Sequence, residues 1–131
     1  MKILLVDDED QFRESVKKQL TVRNYTVSSV SSGEDAIEFI HQNDIDVVIL
    51  DMRMPGISGA ATLKKIKETS PLTEVIMLTG HATVNTAMKT IKMGAFDYIP
   101  KPVKLDVLIN KMEDAYRKKE LEEKRMNHKV K

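Results

Sequence analysis

The chain has no cysteine, which excludes a disulfide framework, a thiolate metal site and a cysteine nucleophile together. That composition agrees with a reducing cytoplasm. Long apolar runs are also missing. At the N-terminus only Ile3-Leu4-Leu5-Val6 stand before Asp7-Asp8-Glu9-Asp10, well short of the roughly 7–15 apolar residues of a secretory signal. Neither a signal peptide nor a membrane span is expected. No Gly-rich loop follows that first apolar stretch, and four acids there would repel a phosphate, which argues against a flavin or nucleotide module. Internal repeats and low-complexity stretches are absent.

What is present fits one domain. A chain of 131 residues can bury about two-thirds of the surface its unfolded form exposes, so no structural metal is required. The formal net charge is +1, but residues 117–131 hold seven Lys or Arg against three acids, leaving fourteen against seventeen in residues 1–116. A mildly acidic body with a basic tail gives no footprint for nucleic acid, and the tail is too short and too poor in aromatics to read as more than a linker.

Along the chain, short apolar runs alternate with stretches of helical period. Ile3 to Val6 reads as a first strand, followed by a helix with Phe12, Val16 and Leu20 on one face. Tyr25 to Val30 is a second strand. Ser31 and Glu34 have capping-box spacing ahead of a helix with Ala36, Ile37 and Ile40 inward. Asp46 to Leu50 is the third strand, and Ser58 is placed to cap a helix carrying Ala60, Leu63 and Ile66. Glu74 to Leu78 is the fourth. Val84, Ala87, Met88 and Ile91 mark the inner face of the next helix, with Met as core filler and Gly94 as a left-handed C-terminal cap. Phe96 to Ile99 is the fifth strand. Leu105, Leu108, Ile109, Met112, Ala115 and Tyr116 face inward on a last helix that projects or frays beyond Tyr116. Five strands alternating with five helices predict right-handed crossovers and an α/β fold, a mostly parallel sheet covered on both sides.

The run Val47-Val48-Ile49-Leu50 fits a strand buried on both faces and ends in Asp51. Alone, Asp51 reads as a turn-capping acid. It has company: Asp7 and Asp8 follow the first strand, Thr79 the fourth and Lys101 the fifth. In a parallel sheet these ends share one edge, where ligands bind near the point at which strand order reverses. Three carboxylates without a counter-charge repel unless a cation is shared, and an all-oxygen set suits Mg²⁺ and not zinc. Asp51 would then attack phosphorus in line, with Lys101 and the Thr79 hydroxyl on the phosphoryl oxygens and the backbone carbonyl of Arg53 in the metal shell.

These residues carry a family resemblance. Val6-Asp7-Asp8-Glu9, Leu50-Asp51-Met52-Arg53-Met54-Pro55-Gly56, Thr79-Gly80 and Tyr98-Ile99-Pro100-Lys101-Pro102, in that order and spacing, resemble the receiver domain of bacterial two-component response regulators over residues 1–116. Residues 117–131 are left as a charged helical extension or linker. The resemblance implies a flavodoxin-like, doubly wound (βα)5 sheet of order 2-1-3-4-5. It implies that Asp51 is phosphorylated from a sensor histidine kinase, with Asp7, Asp8 and Asp51 holding Mg²⁺. It implies a cis peptide at Lys101-Pro102. It further implies a switch in which Thr79 moves toward the phosphoryl group, Tyr98 turns inward, and the surface of the fourth helix, fifth strand and fifth helix changes.

Lys92 to Pro102 looks most like receivers of AAA+ activators that work with an alternative sigma factor, which implies an output domain, transcriptional in kind, in a longer parent chain. A stand-alone phosphorelay receiver is equally compatible. A haloacid-dehalogenase-type phosphatase is the enzyme alternative, but it would place its nucleophile after the first strand and needs length for a cap. Arg53 and His81 occupy variable positions and lead to an expectation of slow dephosphorylation. A homodimer could share Leu105, Leu108, Met112 and Tyr116 between sheet and partner.

Overall fold

The computed structural model describes residues 1–80 and 84–130. Among the described residues ten elements follow in strict alternation: β1 (Lys2–Val6), α1 (Asp10–Val22), β2 (Thr26–Val30), α2 (Gly33–Gln42), β3 (Val47–Asp51), α3 (Gly59–Thr69), β4 (Glu74–Thr79), α4 (Val84–Lys92), β5 (Asp97–Pro100) and α5 (Leu105–Val130). The strands form one parallel sheet of order β2-β1-β3-β4-β5. The expected fold is the observed one.

The apolar runs explain the central strands. β3 and β4 are buried at every position, so their alternate side chains must meet apolar partners on both faces. Ile3, Leu5, Val47, Ile49, Ile76, Leu78 and Ile99 face Val16 and Leu20 of α1 and Leu108, Met112 and Ala115 of α5. Leu4, Val6, Val48, Leu50, Val75 and Met77 face Ala36 and Ile40 of α2 and Leu63 and Ile66 of α3. Each fully buried Leu or Ile stabilises the fold by about 1.5–3 kcal/mol. Gly94 ends α4 with φ 112°, a conformation an L side chain resists.

Several local expectations need correction. Ser32, not Ser31, caps α2, accepting from the Asp35 amide at 3.1 Å. Glu34 therefore closes no capping box; it accepts from the Ile57 amide at 2.8 Å and ties α2 to the loop before α3. Ser58 caps α3 as expected, by a bond from the Ala61 amide. Met88 is 47% exposed and is not core filler. Among the described side chains of α4, Ala87 and Thr90 are buried and Ile91 is half-buried, where the helix lies over the edge strand β5. The Val84 side chain lies outside what is described. Leu108 and Met112 are buried beneath the sheet, so a partner could share only Leu105 and Tyr116 of the four residues expected at a dimer contact.

Past Tyr116, α5 continues unbroken to Val130. Two lysines on that stretch reach back to the amino-terminal edge of the sheet. Lys119 Nζ lies 2.7 Å from Asp46 Oδ1, just before β3. Lys118 Nζ lies 2.6 Å from Glu74 Oε2, a charge contact without the geometry of a hydrogen bond. Glu74 opens β4 and is only 2% exposed; its other oxygen is 3.3 Å from Lys67 Nζ, which also donates to the carbonyls of Pro71 and Thr73. A buried carboxylate needs such partners.

A further tie joins Tyr25 to α5, its hydroxyl donating to Glu113 Oε1 at 2.6 Å. Burial, then this bond and the Glu113 charge, push the Tyr25 phenol up to about 12. Its pKa is raised on folding, so the stability it contributes is complete below the ordinary value of 10.0 and is lost as pH rises through about 12. Spectrophotometric titration of the three tyrosines is expected to show a late step that Tyr25→Phe removes; a titration without one would contradict the contact.

Candidate functional site

The parallel sheet brings the carboxyl ends of its strands to one edge, and the register levels them. Val6 is opposite Leu50, Asp51 opposite Leu78, and Thr79 opposite Pro100. Asp7, one residue past β1, therefore stands beside Asp51, the last residue of β3. These two strands flank the point where order reverses, since β2 lies to one side of β1 and β3 to the other.

Asp7, Asp8 and Asp51 each place a carboxylate oxygen so that all three lie within 4.8 Å of one another. Asp7 is fully buried, Asp51 nearly so, and Asp8 is exposed. Asp7 is held tightly: Oδ1 accepts from the Glu9 amide at 2.8 Å, and its carbonyl accepts from Arg13 Nη1 at 2.7 Å. Lys101 Nζ donates to Asp7 Oδ2 at 3.0 Å and lies 3.4 Å from Asp51 Oδ2 and 3.5 Å from Glu9 Oε1. The Lys101 amide donates to the Thr79 carbonyl at 2.8 Å, and the Lys101-Pro102 bond is cis, as expected.

The electrostatics follow from that packing. Burial first, then the neighbouring Asp7 charge, push the Asp51 carboxyl above its ordinary range, against the opposing pull of Lys101 and the Arg53 amide. Burial lowers the Lys101 ammonium, but its bond to Asp7 and the charges of Asp7, Asp51 and Glu9 outweigh that and raise it. Lys101 stays charged at neutral pH, and three carboxylates converge on one ammonium.

Not every expected residue joins the cluster. The Thr79 hydroxyl is buried and donates to the Ile99 carbonyl at 3.5 Å. Tyr98 is half-buried against the cluster of Leu4, Val48 and Met77. The Arg53 amide bonds Asp51 Oδ1 at 3.3 Å, and His81 lies outside the described residues. An open cleft of about 410 Å³ reaches Asp51 between Glu9, Arg53, Gly80, Lys101 and Pro102.

Three participants were not anticipated. Glu9 belonged to a visible acid run but had no assigned partner. Arg13 sits one turn into α1, where a single Arg carries no signal of its own. Gly59, the first residue of α3, packs so closely that an added Cβ would stand 2.6 Å from the Asp51 carbonyl oxygen and 2.7 Å from Met52 Cα.

A family profile described as response regulator receiver domain matches residues 3–113. The DNA-binding transcriptional regulator NtrC of Escherichia coli (strain K12) is 34% identical over 113 residues, covering 86% of this chain and 24% of that protein. The C4-dicarboxylate transport transcriptional regulatory protein DctD of Rhizobium meliloti (strain 1021) is 34% identical over 119 residues, covering 91% and 26%. The chain thus spans about a quarter of the length of these relatives. Among solved structures, a response regulator receiver domain protein from Clostridium thermocellum superposes with a TM-score of 0.87 at 38% identity, over 92% of this chain and 97% of that one. No helix among the described residues is long and apolar enough to cross a membrane. With its sheet order, its strand-end acids and this match over most of its length, the chain belongs to the response regulator receiver domain family, a family of signalling domains.

Proposed function

We propose that Asp51 accepts a phosphoryl group from the phosphohistidine of a sensor histidine kinase. The observation that carries this is the convergence of Asp7, Asp8 and Asp51 within 4.8 Å with Lys101 Nζ 3.4 Å from Asp51. An Asp51 oxygen attacks phosphorus in line; the O–P bond forms as the donor's P–N bond breaks, and the imidazole, protonated on its other ring nitrogen, leaves neutral with the electron pair. The Lys101 ammonium moves onto the phosphoryl oxygens as their charge develops.

The donor set fits Mg²⁺: all ligands are oxygen, no His or Cys stands among them, and one ammonium is too little for three carboxylates. Asp7, Asp8, Asp51 and the Arg53 carbonyl would hold it. When bound, it supplies charge neutralisation for the phosphoryl oxygens.

The response runs through Thr79 and Tyr98. The Thr79 hydroxyl gives up a bond to Ile99 that, at 3.5 Å, is at the outer limit for a hydrogen bond, and turns to the phosphoryl group. Tyr98 moves into the space it leaves, and the surface of α4, β5 and α5 changes. Met88 and Met93, 47% and 41% exposed, put apolar area on that surface for a partner or second copy. We read residues 1–116 as the receiver and 117–131 as a helical extension toward an output domain that acts on transcription, in the cytoplasm.

Incubation with acetyl phosphate and Mg²⁺ tests the core of this reading. A phosphoryl label that hydroxylamine and alkali both remove is expected on the peptide holding Asp51, and EDTA is expected to prevent it. Label confined to any other residue would overturn it.

A further inference from the structure

Lys101 has a fourth neighbour that is not an acid. Its Nζ lies 4.7 Å from the centroid of the Phe12 ring, within reach of a cation–π contact. Phe12 is the third residue of α1, half-buried at the margin of the core formed by Ile3, Leu5 and Leu20. A Leu would fill that margin equally well. What Leu lacks is a face with negative potential turned to the ammonium.

We propose that Phe12 is a positioning residue for phosphoryl transfer, its ring holding the Lys101 ammonium beside Asp51. The proposal rests on the reading of Asp51 as phosphoacceptor. Three carboxylates compete for Lys101: Asp7 at 3.0 Å, Asp51 at 3.4 Å and Glu9 at 3.5 Å. Asp7 is fully buried and held by backbone, whereas the Glu9 side chain is 67% exposed and free to lead the ammonium outward. The ring opposes that loss without occupying an N–H donor, since a π face attracts the charge as a whole while all three donors stay available for oxygens. The Lys101 side chain is 18% exposed, so water screens the contact only partly. When the phosphoryl group arrives, the ammonium slides over the ring and breaks no hydrogen bond to it.

The contact is separable from packing by fluorination, which weakens the ring's negative face with little change in shape. In the full chain, Phe12 is replaced in turn by mono-, di- and trifluorinated phenylalanine, and phosphorylation by acetyl phosphate is followed at saturating Mg²⁺. The maximal rate constant is expected to fall stepwise, by about fivefold at the trifluoro ring, with the half-saturating phosphodonor concentration and the melting temperature nearly unchanged. Phe12→Leu should fall at least as far and Phe12→Trp should retain the rate. A flat fluorine series with normal labelling of Asp51 would overturn the role of Phe12 and leave the phosphoacceptor standing. Absence of any label on Asp51 in the unsubstituted chain would bring down both.

Discussion

Asp51→Asn is expected to reduce phosphoryl uptake to the level of buffer alone and, without divalent cations, to make the fold more stable at neutral pH. The first effect follows from chemistry: an amide oxygen is a poor nucleophile toward phosphorus, and of Asp7, Asp8 and Asp51 it is Asp51 that lines the cleft. The second follows from linkage. Burial and the Asp7 charge raise the Asp51 pKa above its ordinary 3.8, despite Lys101 and the Arg53 amide. A carboxyl whose pKa rises on folding costs nothing while both states are protonated. The cost appears as pH rises from the unfolded value through the folded one, and is complete above it. Asn keeps the shape and removes the charge, so its gain grows as pH rises above the ordinary carboxyl value and vanishes below it. Urea midpoints across that range check the sign, and identical midpoints at neutral pH would contradict it. With the Mg²⁺ proposed above, the wild type gains about 1.4 kcal/mol at tenfold its dissociation constant, and the Asn variant, short of one anionic ligand, gains less.

Gly59→Ala is the second large effect expected, about 3 kcal/mol of lost stability and a melting temperature lower by roughly 10 °C. Helix propensity alone would favour Ala, by at most about 1 kcal/mol. Sterics decide otherwise, because the Cβ would stand 2.6 Å from the Asp51 carbonyl oxygen, 2.7 Å from Met52 Cα and 2.9 Å from the Met52 carbonyl oxygen. All three are backbone atoms and cannot turn aside as a side chain would. Relief must come by moving α3 or the end of β3, and the second carries Asp51 with it, so phosphorylation should slow as well. Gly80→Ala is the control: among the described residues nothing lies within 4 Å of its added Cβ, and its melting temperature should stay near wild type. A Gly59→Ala chain that melts with the wild type would refute the close approach.

Much of the fold was legible because the central strands are buried on both faces. Val47 to Leu50 and Val75 to Leu78 had to be apolar at every position, and a parallel sheet then aligns their carboxyl ends without further information. That logic brought Asp7, Asp8, Asp51 and Lys101 together before any coordinates. It gave less where two local solutions differ by one residue. Ser31 and Ser32 are both capable caps, and spacing to Glu34 favours the wrong one. The choice is made by tertiary contact, since Gly33 starts α2 where an added Cβ would lie 2.1 Å from Thr62 Oγ1, and Glu34 is drawn across to the Ile57 amide. Met88 was misplaced because an edge strand offers a helix less to cover than a central one does. The charged residues were hardest. Nothing local in the chain reveals that Lys67 and Lys118 meet Glu74, and Lys119 meets Asp46, at the amino-terminal edge of the sheet.

Were α5 to tilt, those lysine contacts would be its fulcrum. β3 ends in Asp51 and is preceded by Asp46; β4 runs from Glu74 to Thr79. β3 thus carries Asp51 and β4 carries Thr79 at the carboxyl end, and each meets the departing helix near the other end, through Lys119 and Lys118. Beyond that grip the helix runs on to Val130, roughly 16 Å at about 1.5 Å per residue. A tilt of about 10° around the fulcrum would carry its far end by roughly 3 Å, in the opposite sense to the half that lies on the sheet.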